Sequence, residues 1–239
     1  PPGDAPRLFG EVLREGGRPQ RIQLPGEVGD LALSPDGTTL YAAVCGPGVS
    51  AVHAVDLASR AIAWSVEGVA GCTRLVLSPR GERLLVADAP DILLVDTRTR
   101  AVERIVTPAA TISDIVLTAD GRTLYAAAAF GGLLAVDTGR RNVTTISRLP
   151  CPMQVALSPA GDRLYVNYQC GGPGGRRGHD SIEVLDTKTH QAVAVIKDLP
   201  NVGGDLAVSP DGAYLWADGF DACRNDIYDH AGCPEGPGS

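Results

Sequence analysis

Aromatic side chains are scarce in this chain: three Phe, six Tyr and two Trp make up 5% of 239 residues, beside a single Met. With 29 Gly and 18 Pro, that composition fits many tight turns rather than long helices. A run of about 18 apolar residues is missing too, which excludes a membrane-spanning helix. So is a basic footprint. Lys and Arg number 21 against 28 acidic residues, and the net charge of −7 argues against nucleic acid as a partner. No Gly-x-Ser-x-Gly elbow, His-Glu-x-x-His helix or phosphate-binding Gly loop occurs. The run Gly171-Gly-Pro-Gly-Gly175 has no strand-to-helix context and no following Lys-Ser/Thr, so it reads as flexible linker. No Cys-x-x-Cys pair or tight Cys/His cluster appears, which argues against a zinc site. A signal peptide is not visible, and Pro1-Pro-Gly-Asp-Ala-Pro6 reads as a linker or a processed N-terminus.

What is present is a repeat. Leu31-Ala-Leu-Ser-Pro-Asp-Gly-Thr-Thr-Leu-Tyr41 returns in variant form at 75–85, 115–125, 155–165 and 206–216. The turn glycines fall at 37, 81, 121, 161 and 212, steps of 44, 40, 40 and 51 residues. A second signature follows the first four turns: Val55-Asp56, Val95-Asp96, Val136-Asp137 and Leu185-Asp186. Short apolar runs at this period indicate an all-β propeller or a related array. Within each unit Pro presets φ at the first central turn position and Gly supplies positive φ, so the flanking runs pair as an antiparallel hairpin. Two further runs give four strands, A to D, in about 40 residues, the length of one blade.

The units resemble the YVTN family of propeller repeats, which carry Ser-Pro-Asp-Gly, then Leu-Tyr-Val and later Val-Ile-Asp-Thr. The nearest matches are Ser158-Pro-Ala-Gly161 with Leu164-Tyr-Val166, and Val95-Asp-Thr97. The likeness runs over roughly residues 20–219. It implies bacterial or archaeal surface proteins and similarity to lactonase-type and amine-dehydrogenase-type propellers, commonly of seven blades. Such a fold hosts many functions and fixes none.

Residues 1–6 read as a linker, 7–219 as the propeller and 220–239 as a cysteine-bounded loop or tail. Four complete blades are expected over 29–67, 72–107, 112–148 and 152–199. Residues 7–24 hold two strand-like runs, C and D of a blade without A and B, whereas 203–219 supply A and B alone. The N-terminal pair is therefore expected to complete a fifth blade and close the ring, hiding sheet edges. The alternative is part of a six- to eight-bladed propeller.

Cys45, Cys72, Cys151, Cys170, Cys223 and Cys233 form an even set. In an up-down blade the B–C and D–A connections emerge on one side of the disc, and all six cysteines fall in or beside them. Adjacency pairs 45 with 72, 151 with 170 and 223 with 233. Three disulfides imply an oxidising compartment: secreted, periplasmic or cell surface.

On that same side, immediately before each strand A, stand Asp30, Arg74, Asp114, Gln154 and Asp205. As a polar ring at the channel mouth, its carboxylates have the oxygen chemistry of a site for a hard cation such as calcium. They also have the paired carboxylates of glycoside hydrolysis. The structural reading is that they cap strand ends and bind loop amides. His179 and Asp180 lie in one long loop, and Asp226, Asp229 and His230 in another, a set suited to a transition metal or merely solvated. Arg176-Arg177 is a solvated charge pair or a contact for an anionic partner. Asp56, Asp96, Asp137 and Asp186 recur in every unit and so are expected to make turn hydrogen bonds.

No cofactor is expected. The leading expectation is a non-catalytic, extracytoplasmic binding or assembly module for a protein or small ligand, working through its loop-rich face, alone or beside other domains. A glycosidase- or lactonase-like hydrolase at the channel mouth is the first alternative. A surface-layer component, with side contacts between copies, is the second.

Overall fold

The structure, a computed structural model, describes residues 9–12, 20–46, 50–69, 74–88, 90–108, 111–149, 151–168, 181–197, 199 and 202–219. The regular elements among them are all strands, and they form the expected blades. Blade 1 is β3 (Glu27–Leu33), β4 (Thr39–Cys45), β5 (Ala51–Asp56) and β6 (Ala61–Glu67). Blade 2 is β7 (Leu75–Leu77), β8 (Arg83–Asp88), β9 (Asp91–Asp96) and β10 (Val102–Val106). Blade 3 is β11 (Thr111–Leu117), β12 (Thr123–Ala129), β13 (Gly132–Asp137) and β14 (Asn142–Ser147). Blade 4 is β15 (Pro152–Leu157), β16 (Arg163–Tyr168), β17 (Ile182–Asp186) and β18 (Ala192–Ile196). Each is an antiparallel sheet in chain order. The fifth blade is represented by two halves. β1 (Phe9–Val12) pairs with β2 (Gln20–Gln23), and β19 (Val202–Val208) pairs with β20 (Leu215–Gly219), each as its own two-stranded sheet.

The hairpin between the first two strands explains the Ser-Pro-x-Gly motif. Ser34 N–H donates to the Thr39 carbonyl and Gly37 N–H to the Ser34 carbonyl, with Gly37 at φ +68°. The Ser34 hydroxyl donates to Asp36 and receives the Thr39 N–H, so one side chain ties both arms. The other four turns repeat the Ser or Thr clamp and the positive φ. Between the third and fourth strands, the recurrent aspartate does what its recurrence implied. Asp56, Asp96, Asp137 and Asp186 accept the backbone N–H three residues on, at 2.6–2.9 Å. Thr97, Thr138 and Thr187, the residues after three of those aspartates, donate their hydroxyls to the carbonyls of Gly81, Gly121 and Gly161. The Asp-Thr signature thus locks one turn to the other at the same rim of the blade.

Blades stack through alternate faces of their strands. Tyr41 and Ala43 on β4 face blade 2 and pack with Leu75, Leu84, Val86 and Val95. Leu85 and Ala87 meet Ile115, Leu124 and Ala126 of blade 3. Tyr125 and Ala127 meet Val155, Leu164 and Val166 of blade 4. Each blade therefore has a forward face and a rear face. The central strands carry alanine where sheets approach most closely: Ala42, Ala43, Ala126, Ala127 and Ala128 have no solvent exposure. Small aliphatic contacts take the place of rings, consistent with the low aromatic content.

Turn contacts follow the same direction. The Pro35 ring lies 3.0 Å from where a Cβ on Gly81 would stand, Pro79 lies 3.4 Å from that point on Gly121, and Pro159 3.6 Å from it on Gly212. Blade 3 carries Ala119 in place of that proline, and nothing lies within 4 Å of the corresponding point on Gly161. A groove of about 340 Å³ opens there, between Ala119 and Gly161 and down to Tyr125 and Thr187.

Candidate functional site

The polar residues expected just before the first strands lie within them, at a bulge. Register shifts occur between Val28 and Asp30, Ile112 and Asp114, Pro152 and Val155, and Val202 and Leu206. Arg74 alone precedes its strand, because β7 is only three residues long. A bulge adds one residue and turns the strand locally, and the position next to it here is the polar one.

At two of the four bulges that side chain reaches the next blade. Asp30 accepts the N–H of its neighbour Leu31 at 2.8 Å and that of Leu75 in blade 2 at 2.7 Å. Asp114 accepts the N–H of Val155 in blade 4 at 3.0 Å and is also bonded by the Ile115 N–H. Arg74 donates through Nε to the Ser113 carbonyl of blade 3 at 3.2 Å. In blade 4 the role moves to Asn167 on β16, which accepts the Gln154 N–H and donates to the Gly204 carbonyl of β19. Asp30, Asp114, Arg74 and Asn167 thus join successive blades through their backbones. Asp205 stands apart. Its carboxylate is largely exposed and forms an ion pair of 3.9 Å with Arg74.

Three of the five ring residues act on one another: Arg74, Asp114 and Asp205. Burial pushes the Asp114 carboxyl up to about 6. The Val155 and Ile115 N–H groups and the Arg74 guanidinium favour its charged form, Asp205 opposes it, and burial outweighs the donors. Asp30 is engaged by backbone amides, and Gln154 is buried.

Both described cysteines, Cys45 and Cys151, are disulfide-bonded. Cys72, Cys170, Cys223 and Cys233 lie outside the described residues, and with them the pairing. His179, Asp180, Asp226, Asp229, His230 and the Arg176-Arg177 pair do too. Among the described residues no group of three His, Cys, Asp or Glu side chains is placed to hold a metal.

Two features at this side of the molecule escaped the sequence reading. Phe130, in the tight turn between β12 and β13, is 84% exposed and sits at φ +61°. A bulky non-glycine residue in that region is strained, and strain of that kind gathers at functional sites. The turn is forced by its neighbour: a Cβ on Gly132 would lie 2.1 Å from the Ser147 carbonyl oxygen. The Phe130-Gly-Gly132 run was the only available hint. Second, Tyr168 is buried at the end of β16 and donates its hydroxyl to Glu183 at 2.6 Å. Burial and that carboxylate push its phenol up. An ion-capable pair inside the blade gives no periodic signal, since Tyr168 and Glu183 come from strands separated by the longest connection.

Four-stranded antiparallel blades, stacked through forward and rear faces with their first strands innermost, define a β-propeller. Hydrazine synthase from Kuenenia stuttgartiensis is a solved structure of similar fold, with a TM-score of 0.69 and 23% identity over 80% of this chain. The match takes in 55% of that structure's chain, so this chain spans about half its length, and at that identity the likeness is one of fold. No protein-family model matches the sequence, and no curated protein does. Among the described residues no helix is long and apolar enough to cross a membrane.

Proposed function

We propose that this chain is a non-catalytic, extracytoplasmic propeller of YVTN-like repeats. It binds a protein or small ligand, or takes part in an assembly, through the face that carries its cysteines and long connections. The observation that carries this reading is the use made of the inner carboxylates. Asp30 and Asp114 spend their oxygens on N–H groups of the next blade, which makes the channel mouth part of the scaffold. Recognition then falls to groups presented outward, such as Phe130. Aromatic residues, Phe among them, are enriched at protein interfaces.

The second reading, a hydrolase at the channel mouth, draws on Asp114 alone. A carboxyl with a pKa of about 6 is suited to general acid catalysis near neutral pH. The discriminating experiment is a panel of chromogenic glycosides and lactones turned over by the wild-type chain and by Asp114→Asn. The proposal expects no turnover above background with either. Turnover that disappears in Asp114→Asn would replace it with the hydrolase.

A further inference from the structure

The junction between blades 3 and 4 departs from the repeat at three positions, and the three departures meet in one cleft. The first is Ala119, which stands where the other four turns carry proline and leaves the groove down to Tyr125 open. The second is Thr144 on β14. Its counterpart in blade 1 is Trp64, which lies opposite Ala54 as Thr144 lies opposite Ala135. Trp64 packs against Tyr41 with ring centroids 5.8 Å apart. In blade 2 the same position holds Glu103, which Arg141 of blade 3 meets in an ion pair. The third departure is His190. The positive-φ position between the third and fourth strands is arginine in blades 1 to 3 (Arg60, Arg100 and Arg141) and histidine in blade 4. The ring that covers one junction and the ion pair that bridges the next therefore have no counterpart here.

What remains is a second groove of about 340 Å³, which shares Thr123, Tyr125 and Thr187 with the first. Each lobe falls within the range of small-molecule clefts, about 300–1,000 Å³. The floor is Tyr125, whose hydroxyl donates to the Thr187 carbonyl at 3.3 Å and whose ring meets His190 edge-on, 6.1 Å between centroids. Around it stand groups that both donate and accept: the Thr123 and Thr144 hydroxyls, the Asn142 amide and the His190 imidazole. None of these four side chains makes a hydrogen bond within the protein among the described residues. The carboxylates of Asp120 and Asp137 add acceptors, and hydrogen bonds from the Thr118 hydroxyl and the Arg140 N–H hold them below the usual carboxylate range. No Lys or Arg lines either lobe.

We propose that this cleft binds a neutral saccharide unit. The hydroxyls of a sugar, each donor and acceptor at once, match Thr123, Asn142, Thr144 and His190, and its C–H groups meet the apolar floor at Tyr125 and Ala135. An anionic ligand would meet two carboxylates and no cation. An apolar ligand would strip water from four polar groups and leave them unpaired. The missing proline fits the same reading, because a protein breaks a local rule, at some cost in stability, where function requires it. The cleft lies at the turn rim, on the opposite side of the disc from the long connections, and does not rest on the reading of that face.

Saturation-transfer NMR on the full chain with the methyl glycosides of glucose, galactose, mannose and N-acetylglucosamine tests this, with spermidine as the cationic comparator. At least one glycoside should bind saturably and shift the His190 ring resonances. Ala119→Pro fills the first lobe, and Thr144→Glu with His190→Arg rebuilds across the second the ion pair of the preceding junction. Each should weaken binding by about tenfold or more while the cooperative melting transition is kept. The two closures are independent, so a folding defect in one leaves the other to decide. Binding unchanged in either folded variant lies elsewhere and overturns the proposal, as does the absence of saturable binding by every glycoside. A response confined to spermidine identifies an ammonium site and overturns it too.

Discussion

Asp114 and the turn aspartates are the same residue type placed in opposite circumstances, and their pKa shifts run in opposite directions. Asp36, Asp56, Asp96, Asp120, Asp137, Asp186 and Asp211 accept hydrogen bonds from turn N–H and hydroxyl groups, which lower their pKa below 3.8. Their contribution to stability is present above that value and is lost as pH falls through the depressed one. Asp114 is raised to about 6, so its contribution is full below pH 3.8 and is lost as pH rises through about 6. The two slopes set maximum stability at mildly acid pH. Asp114→Asn should flatten the upper slope, removing about 2 kcal/mol of the stability difference between pH 4 and pH 7. Urea unfolding at several pH values reads this directly, and equal slopes in both proteins would refute the assignment. The recurrent aspartates were legible in the sequence because they repeat. The burial of Asp114 was not, because Asp205 occupies the same repeat position and is largely exposed.

The hairpin turns show how far a motif can be read and where it stops. Ser-Pro-x-Gly announced the reversal, the positive φ and the period. It did not announce that the proline ring would reach the glycine of the next blade. That contact joins residues such as Pro35 and Gly81, which look independent along the chain. Likewise the sequence placed Asp30 and Asp114 at the head of the first strand but not inside it, since a bulge leaves no mark on a seven-residue run. Ala119 is the one exception to the proline rule in the first four units. Ala119→Pro should therefore stabilise the protein by about 0.4–1 kcal/mol, through a less flexible unfolded chain and a filled groove at Gly161. A melting temperature at or below that of the wild type would show that the turn at Thr118 differs from its neighbours in more than one atom group.

Across the whole molecule, stability comes from many similar junctions between blades, and Cys45 and Cys151 are in addition disulfide-bonded. Cys45 sits at the end of β4 and Cys151 immediately before β15. Intact mass before and after reduction, followed by peptide mapping, should show three bridges linking 45 to 72, 151 to 170 and 223 to 233. Each closed loop restrains the unfolded chain by about 2–4 kcal/mol. Six thiols alkylated without reduction would remove both the ties and the case for an oxidising compartment. The blades were legible from the sequence because four strands and two turns repeat together. The condition of the fifth was less so, because the sequence shows which strands exist without showing whether their edges meet.

Four of the described inter-blade contacts point the same way along the chain: Asp30 to Leu75, Pro35 to Gly81, Asp114 to Val155, Asn167 to Gly204. A unit therefore carries its own latch at one side and its own socket at the other. Duplicating or deleting one unit brings a latch against a socket that already fits, with no new surface to invent. Blade number in such a gene is free to drift by whole units.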